Sequence, residues 1–117
     1  MTLELTDELL LRRMLEGDET AFTALYRRRQ GGVYRFALQM SGSVEIAEEI
    51  TQDTFMLLMR QGSRFDPAKG SVASFLFGVA RNLVRRHLEK ARNESWSELD
   101  AGEPVADTRE NVLDEMT

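Results

Sequence analysis

Between residues 7 and 92, apolar side chains return every three or four positions and almost never alternate. That is the period of an amphipathic helix and not of a strand. The rhythm breaks at Gly17-Asp18, at Ser41-Gly42-Ser43 and across residues 62–70, so four helices are predicted. The first covers residues 7–16, with Thr6 or Asp7 as its cap and Gly17 at its end. Asp18 opens the second, residues 19–40, in which Ala21, Phe22, Leu25 and Tyr26 share a face. Gly31-Gly32 interrupts that helix. Each glycine costs about 1 kcal/mol relative to alanine, so a kink or local break is expected there. Ser43 caps a third helix, residues 44–61, and Gly62 stops it. A loop, residues 62–70, carries Phe65-Asp66-Pro67, after which Ser71 caps a fourth helix, residues 72–92. The expected fold class is all-α, a compact bundle of about four helices.

From Asn93 the composition turns to Ser, Glu, Asp, Gly and Pro, which reads as a mobile acidic linker with a short helix near residues 108–116. Residues 1–93 then form one domain and residues 94–117 the linker. The net charge of −5 is therefore misleading. Residues 1–93 hold 14 of the 15 Lys and Arg but 12 of the 20 Asp and Glu, whereas residues 94–117 hold one Arg and eight acids. The body is mildly basic, and residues 81–92 set five basic side chains against Glu89 alone. That stretch is the best candidate for phosphate contact.

On the third helix, at about 100° per residue, Ile46, Ala47, Ile50, Thr54, Leu57 and Leu58 form a core face. The opposite face carries Glu45, Glu48, Glu49, Gln52 and Asp53, then Met56 and Met59. An acidic rim beside flexible apolar side chains suits docking on a basic partner helix. Spacing alone fits equally a solvated face whose methionines lie at the core edge. On the fourth helix Leu76, Val79, Ala80 and Leu83 form the core side, and Arg81, Arg85 and Arg92 a narrow exposed stripe flanked by Asn82 and Ser74. Arg86 and Lys90 fall nearer the boundary. Phe75, Phe77 and, in the loop, Phe65 add aromatic surface, although each phenylalanine taken alone reads as core. Arginine forks, an asparagine and stacking rings are the composition of a single-strand binder.

Other chemistries find little support. There is no Cys, which excludes disulfides and thiolate metal sites. The only histidine, His87, belongs to another helix than the acidic face, lies on that helix's core side and falls outside any Glu-x-x-His pattern, so no metal site and no cofactor are expected. No nucleophile–base motif or Gly-rich phosphate loop points to an enzyme. No apolar run approaches the roughly 20 residues of a membrane span, and Met1-Thr2-Leu3-Glu4 lacks the basic, apolar start of a signal peptide. A cytoplasmic protein without membrane insertion is expected.

Three strings, in order, carry a family resemblance. Gly17-Asp18-x-x-Ala21-Phe22-x-x-Leu25-Tyr26 is followed by Ala47-Glu48-Glu49-Ile50-Thr51-Gln52-Asp53-Thr54-Phe55 and then by Phe75-Leu76-Phe77-x-Val79-Ala80-Arg81-Asn82. Together they resemble region 2 of the extracytoplasmic-function (ECF) sigma factors of the sigma-70 family. The second string is similar to that group's Ala-Glu-Asp-Leu-x-Gln-Glu-x-Phe and the third to its Trp-Leu-x-x-Ile-Ala-Arg-Asn.

The resemblance implies a transcription initiation factor that docks on the β′ clamp helices of core RNA polymerase. Glu48, Glu49, Gln52 and Asp53 match the docking motif; Glu45 and Met56 join them from the helix wheel, with Phe55 as structural support. It further implies binding of the single-stranded non-template −10 promoter element. Ser63, Arg64, Phe65 and Lys69 would hold a flipped base, and Phe75, Arg81 and Asn82 would contact the strand. Ser74, Arg85 and Arg86 are added from the wheel. An anti-sigma factor would cover the same surfaces.

The sequence departs from the family in Phe75, where Trp is usual, in Arg85, where many members have Asp, and in the Gly31-Gly32 pair. The helix-turn-helix domain (region 4) that follows the linker in full members is absent from these 117 residues, so the chain reads as a fragment. The competing reading is a helical protein–protein adaptor that never touches DNA.

Overall fold

The structure, a computed structural model, describes residues 5–99, with side chains described as far as Glu94. The acidic segment beyond Leu99 and the short helix expected near residues 108–116 lie outside the described residues.

Four α-helices follow one another: α1 (Asp7–Leu15), α2 (Glu19–Ser41), α3 (Val44–Gln61) and α4 (Val72–Leu99). Side-chain caps set their starts. The Thr6 hydroxyl accepts the Leu9 N–H at 3.1 Å, Ser43 accepts the Ile46 N–H at 3.2 Å and Ser71 accepts the Ser74 N–H at 3.0 Å. Each satisfies an N–H that a helix start leaves without a partner. Asp18 Oδ1 accepts from the Thr20 and Ala21 N–H groups and from the Thr20 hydroxyl. That hydroxyl is the main reason its carboxyl is held below the ordinary 3.8. Gly42 ends α2 in the left-handed conformation at φ 69°, returning its N–H to Leu38.

Every helix contributes to one core: Leu10 and Leu11 from α1; Ala21, Leu25, Val33 and Ala37 from α2; Ala47, Ile50, Phe55 and Leu58 from α3; Val72, Leu76, Ala80 and Val84 from α4. Val79 and Leu83, expected in the α4 seam, are only half-buried, as are Ile46 and Leu57 on α3. The buried hydroxyls of Thr51 and Thr54 donate to the Ala47 and Ile50 carbonyls at 2.7 Å, so α3 carries polar atoms into the core without leaving them unsatisfied. Phe55 is 2 % exposed and meets Tyr26 edge-on at 5.0 Å and Phe22 at 6.5 Å. Asp7, itself buried, ties α1 to α2 by pairing with Arg28 at 2.9 Å and Arg29 at 2.6 Å.

Two local expectations are corrected. α2 runs without a break through Gly31-Gly32, because Val33 and Ala37 just beyond are fully buried and hold the chain in register; tertiary packing outweighs a propensity penalty of about 1 kcal/mol per glycine. Gly62 stops α3 where expected, at φ −60°, and its lack of a side chain also serves close packing: a Cβ there would lie 3.1 Å from Leu11 and 3.4 Å from Met14. α4 continues past Arg92 to Leu99, so the first residues assigned to the linker are helical. No residue in 93–99 is Gly or Pro, and nothing in their local chemistry stops the helix.

Candidate nucleic-acid interface

The chain between α3 and α4 is organised by two 3-10 turns, Gly62–Arg64 and Pro67–Lys69. Phe65 returns its N–H to the Gly62 carbonyl at 3.0 Å, and Lys69 returns its own to Asp66 at 2.9 Å. The Asp66 carboxylate accepts the Ala68 N–H at 3.0 Å, the local bond by which Asp before Pro shapes a turn. Gly70, at φ 150°, turns the chain into Ser71 and α4. The segment is thus a fixed structure and not a loose connector.

This geometry leaves an open cleft of 240 Å³ lined by Arg64, Phe65, Asp66, Lys69, Gly70, Ser71, Ser74 and Phe75. The Phe65 and Phe75 rings meet edge to face, with centroids 5.9 Å apart at 78°. Both are half-buried, so each fixes the other while keeping surface open to the cleft. Guanidinium, ammonium, carboxylate and two serine hydroxyls surround them. Such a site offers a ring to stack on, donors and acceptors for a base edge, and cations for phosphate. Of the residues expected to bind DNA, Arg64, Phe65, Lys69, Ser74 and Phe75 come together here. Ser63 is exposed but lies outside the lining. Asp66 and Ser71 line the cleft in addition; the Asp-Pro turn and the Ser cap were visible as local signals, but only the folded loop brings both to one site.

Arg81, Asn82, Arg85 and Arg86 lie one to three turns further along α4 and outside the cleft. The expectation of Arg81, Arg85 and Arg92 as a fully exposed stripe is corrected: all three are half-buried and engaged in contacts. Long arginine stems lie along the protein surface and shelter themselves. Among the described side chains of α4 the exposed ones are Ser74, Asn82, Arg86, Lys90, Ala91, Asn93 and Glu94. With about 100° per residue, Asn82 and Arg86 continue the line of Phe75 along the helix.

On α3 the acidic face stands as expected. Glu45, Glu48, Glu49 and Gln52 are exposed and Asp53 is half-buried. Met56 is 47 % and Met59 57 % exposed. The packing of α3 on α4 adds one contact that sequence spacing missed. His87 Nε2 lies 3.4 Å from Glu49 Oε2, and single donor atoms of Glu49, Asp53 and His87 fall within 4.8 Å of one another. The acidic edge of α3 and the inner edge of α4 therefore meet at a half-buried histidine. No helix among the described residues is long and apolar enough to cross a membrane.

Comparison with known proteins agrees with this arrangement. The family model described as Sigma-70 region 2 matches residues 25–94, which include α3, the cleft and the described side chains of α4. The chain is 33 % identical over 87 residues to a protein named ECF RNA polymerase sigma factor SigK from Mycobacterium sp. (strain KMS), covering 74 % of this chain and 44 % of that protein. It is likewise 33 % identical over 89 residues to the protein of the same name from Mycobacterium bovis, covering 74 % of this chain and 48 % of the relative. The chain thus spans less than half the length of these curated relatives. Among solved structures no significant match is found. An uninterrupted α3 with its acidic edge, the two-turn loop and the basic stretch of α4 fall inside the matched segment, and the chain belongs to the sigma-70 region 2 family, in its ECF branch.

Proposed function

We propose that this domain acts in transcription initiation by holding two partners at once, core RNA polymerase on α3 and the opened −10 promoter element on the loop and α4. The polymerase surface comprises Glu45, Glu48, Glu49, Gln52, Asp53 and Met56, with Met59 beside them. An exposed acidic rim around two exposed methionines fits a basic helical partner, such as the β′ clamp helices that the family resemblance implies. The domain performs no chemistry in this reading. Polymerase does, and the domain supplies binding energy that favours melted DNA.

The observation that carries the DNA half is the aromatic cleft between Phe65 and Phe75. A base leaving the duplex loses a few kcal/mol of stacking, which ring stacking and edge hydrogen bonds in a pocket offset. Arg64 and Lys69 lie where the flanking phosphates would run, and Asn82 and Arg86 extend the track along α4. Serial readout of a single strand follows, with steep salt dependence because phosphate contacts release counterions.

Fluorescence anisotropy with a labelled single-stranded −10 oligonucleotide tests this directly. Binding should weaken on Phe65→Ala and fall as salt rises; binding indifferent to both removes the DNA half. The adaptor reading shares the α3 surface and gives the cleft no role. A polymerase pull-down with Glu49→Arg, set beside oligonucleotide binding by Arg81→Glu, separates the two.

A further inference from the structure

Glu49 and Asp53 stand four residues apart on α3, so one helical turn brings their carboxylates to the same face. The core fixes the helices that carry this face and its neighbour. Ile50 of α3 and Ala80 and Val84 of α4 are fully buried, and Leu83 and Leu88 pack half-buried against them. His87 lies between those leucines on α4 and meets α3 across the seam, its Nε2 3.4 Å from Glu49 Oε2. One donor atom from each of Glu49, Asp53 and His87 lies within 4.8 Å of the other two. Asp53 and His87 are half-buried and Glu49 is exposed, so the cluster is sheltered on the protein side and open to water on the other.

A histidine–glutamate ion pair would use one carboxylate and give Asp53 no part. Three donors of two kinds, converging from two helices, suit a metal ion. Zinc bound by imidazole nitrogen and carboxylate oxygen holds its ligands at about 2.0–2.2 Å, which sets the donors of a tetrahedral site about 3.4 Å apart. His87 and Glu49 already have that separation. The remaining separations, at most 4.8 Å, close by rotation of the Glu49 and Asp53 side chains, with neither helix moving. Magnesium and calcium call for six or more oxygen ligands, and an imidazole selects against them in favour of a transition metal. Two carboxylates and a neutral imidazole carry a charge that one divalent ion cancels. Water completes the fourth position on the open side.

We propose that Glu49, Asp53 and His87 form a binding site for a divalent transition-metal ion of the zinc type, which staples α3 to α4. Glu49 and Asp53 also belong to the surface assigned above to polymerase. An ion held there withdraws two of that surface's carboxylates and lowers its affinity for a basic partner helix. This consequence rests on the polymerase reading; the metal site itself does not.

The test titrates the whole chain with zinc chloride by calorimetry, with cobalt(II) as an absorbance probe of coordination. One ion should bind per chain, and saturating zinc should raise the melting temperature by at least about 5 °C. His87→Gln should lower zinc affinity at least about tenfold and remove the tetrahedral cobalt absorbance. Glu49→Gln, at an exposed position, should do the same and guards against a folding defect in His87→Gln. Glu16→Gln, an exposed acid just past α1, should change neither. Absence of zinc binding overturns the site and leaves a plain histidine–carboxylate contact. Equal zinc binding by wild type, His87→Gln and Glu49→Gln also overturns it, as adventitious binding to surface acids. A polymerase pull-down with and without zinc reads the consequence. Zinc should cut retention of the wild type severalfold and leave that of His87→Gln unchanged, which also controls for zinc acting on polymerase itself. If zinc binds through His87 but polymerase retention does not respond, the metal site stands and the placing of Glu49 and Asp53 on the polymerase surface falls. If the wild type retains no polymerase even without zinc, the polymerase reading fails separately.

Discussion

The exposed face of α3 and the exposed face of α4 answer the same problem differently. On α3 four polar side chains, Glu45, Glu48, Glu49 and Gln52, stand in water, and two methionines beside them are about half open. Apart from the approach of His87 to Glu49, that surface is held in shape by the helix itself. On α4 and its loop several candidate groups are braced: Phe65 against Phe75, Asp66 by the Ala68 N–H, Ser74 by the Ser71 hydroxyl at 3.0 Å, and Arg81, Arg85 and Arg92 half-sunk along the helix, while Arg64, Lys69, Asn82 and Arg86 stand exposed. On the proposed reading, a surface that meets a rigid protein helix can remain adaptable, because the partner supplies the shape, whereas one that meets a flexible single strand has to supply the shape itself, since every group left loose adds ordering cost on binding.

The sharpest way to break this contrast is to remove what both faces share. Phe55→Ala takes out a ring that is 2 % exposed beneath α3. It should cost about 3–5 kcal/mol in urea unfolding and weaken both partners together. Met56→Asp, one residue on, should leave stability within about 0.5 kcal/mol while lowering polymerase affinity alone. Reversing Glu49 and Asp53 to Arg should cost about 2–4 kcal/mol of polymerase binding in competition assays, leaving strand binding intact or improved as local negative charge disappears.

On the braced side, Phe65→Ala and Phe75→Ala should each lose about 1–3 kcal/mol of strand affinity. Their effects should combine to less than their sum, because each ring positions the other. Arg86→Ala should lower affinity about equally for all sequences, and the slope of log affinity against log salt should shrink by about 0.7. The smallest effect concerns the scaffold. The Asp18 carboxyl is held below 3.8 in the fold, chiefly by the Thr20 hydroxyl. Its contribution is present above the unfolded value and is lost as pH falls through the folded one. Asp18→Asn should therefore flatten the acid limb of the stability curve below about pH 4, read by thermal melts, and leave the neutral melting temperature nearly unchanged.

Legibility followed the range of the interactions concerned. Thr6, Asp18, Ser43 and Ser71 act within three residues of themselves, and all four cap where the sequence places them. The acidic face of α3 was legible because one helix presents it whole. The Gly31-Gly32 pair misled because its local penalty is opposed by the burial of Val33 and Ala37 against other helices. His87 was assigned to the core side from its wheel, yet its approach to Glu49 depends on how α4 crosses α3, which no spacing within either helix encodes.

By itself, then, the chain determined its helices, their starts, the segregation of acid from base and the family to which those motifs belong, because each depends on residues within a turn or two of one another. Only the tertiary structure decided that Phe65 and Phe75 face each other across a cleft, that Glu49, Asp53 and His87 come together between α3 and α4, and that α2 runs straight through two glycines. Those outcomes depend on where a folded loop and four packed helices leave space. Space between elements is a property of their joint packing, and no single stretch of sequence contains it.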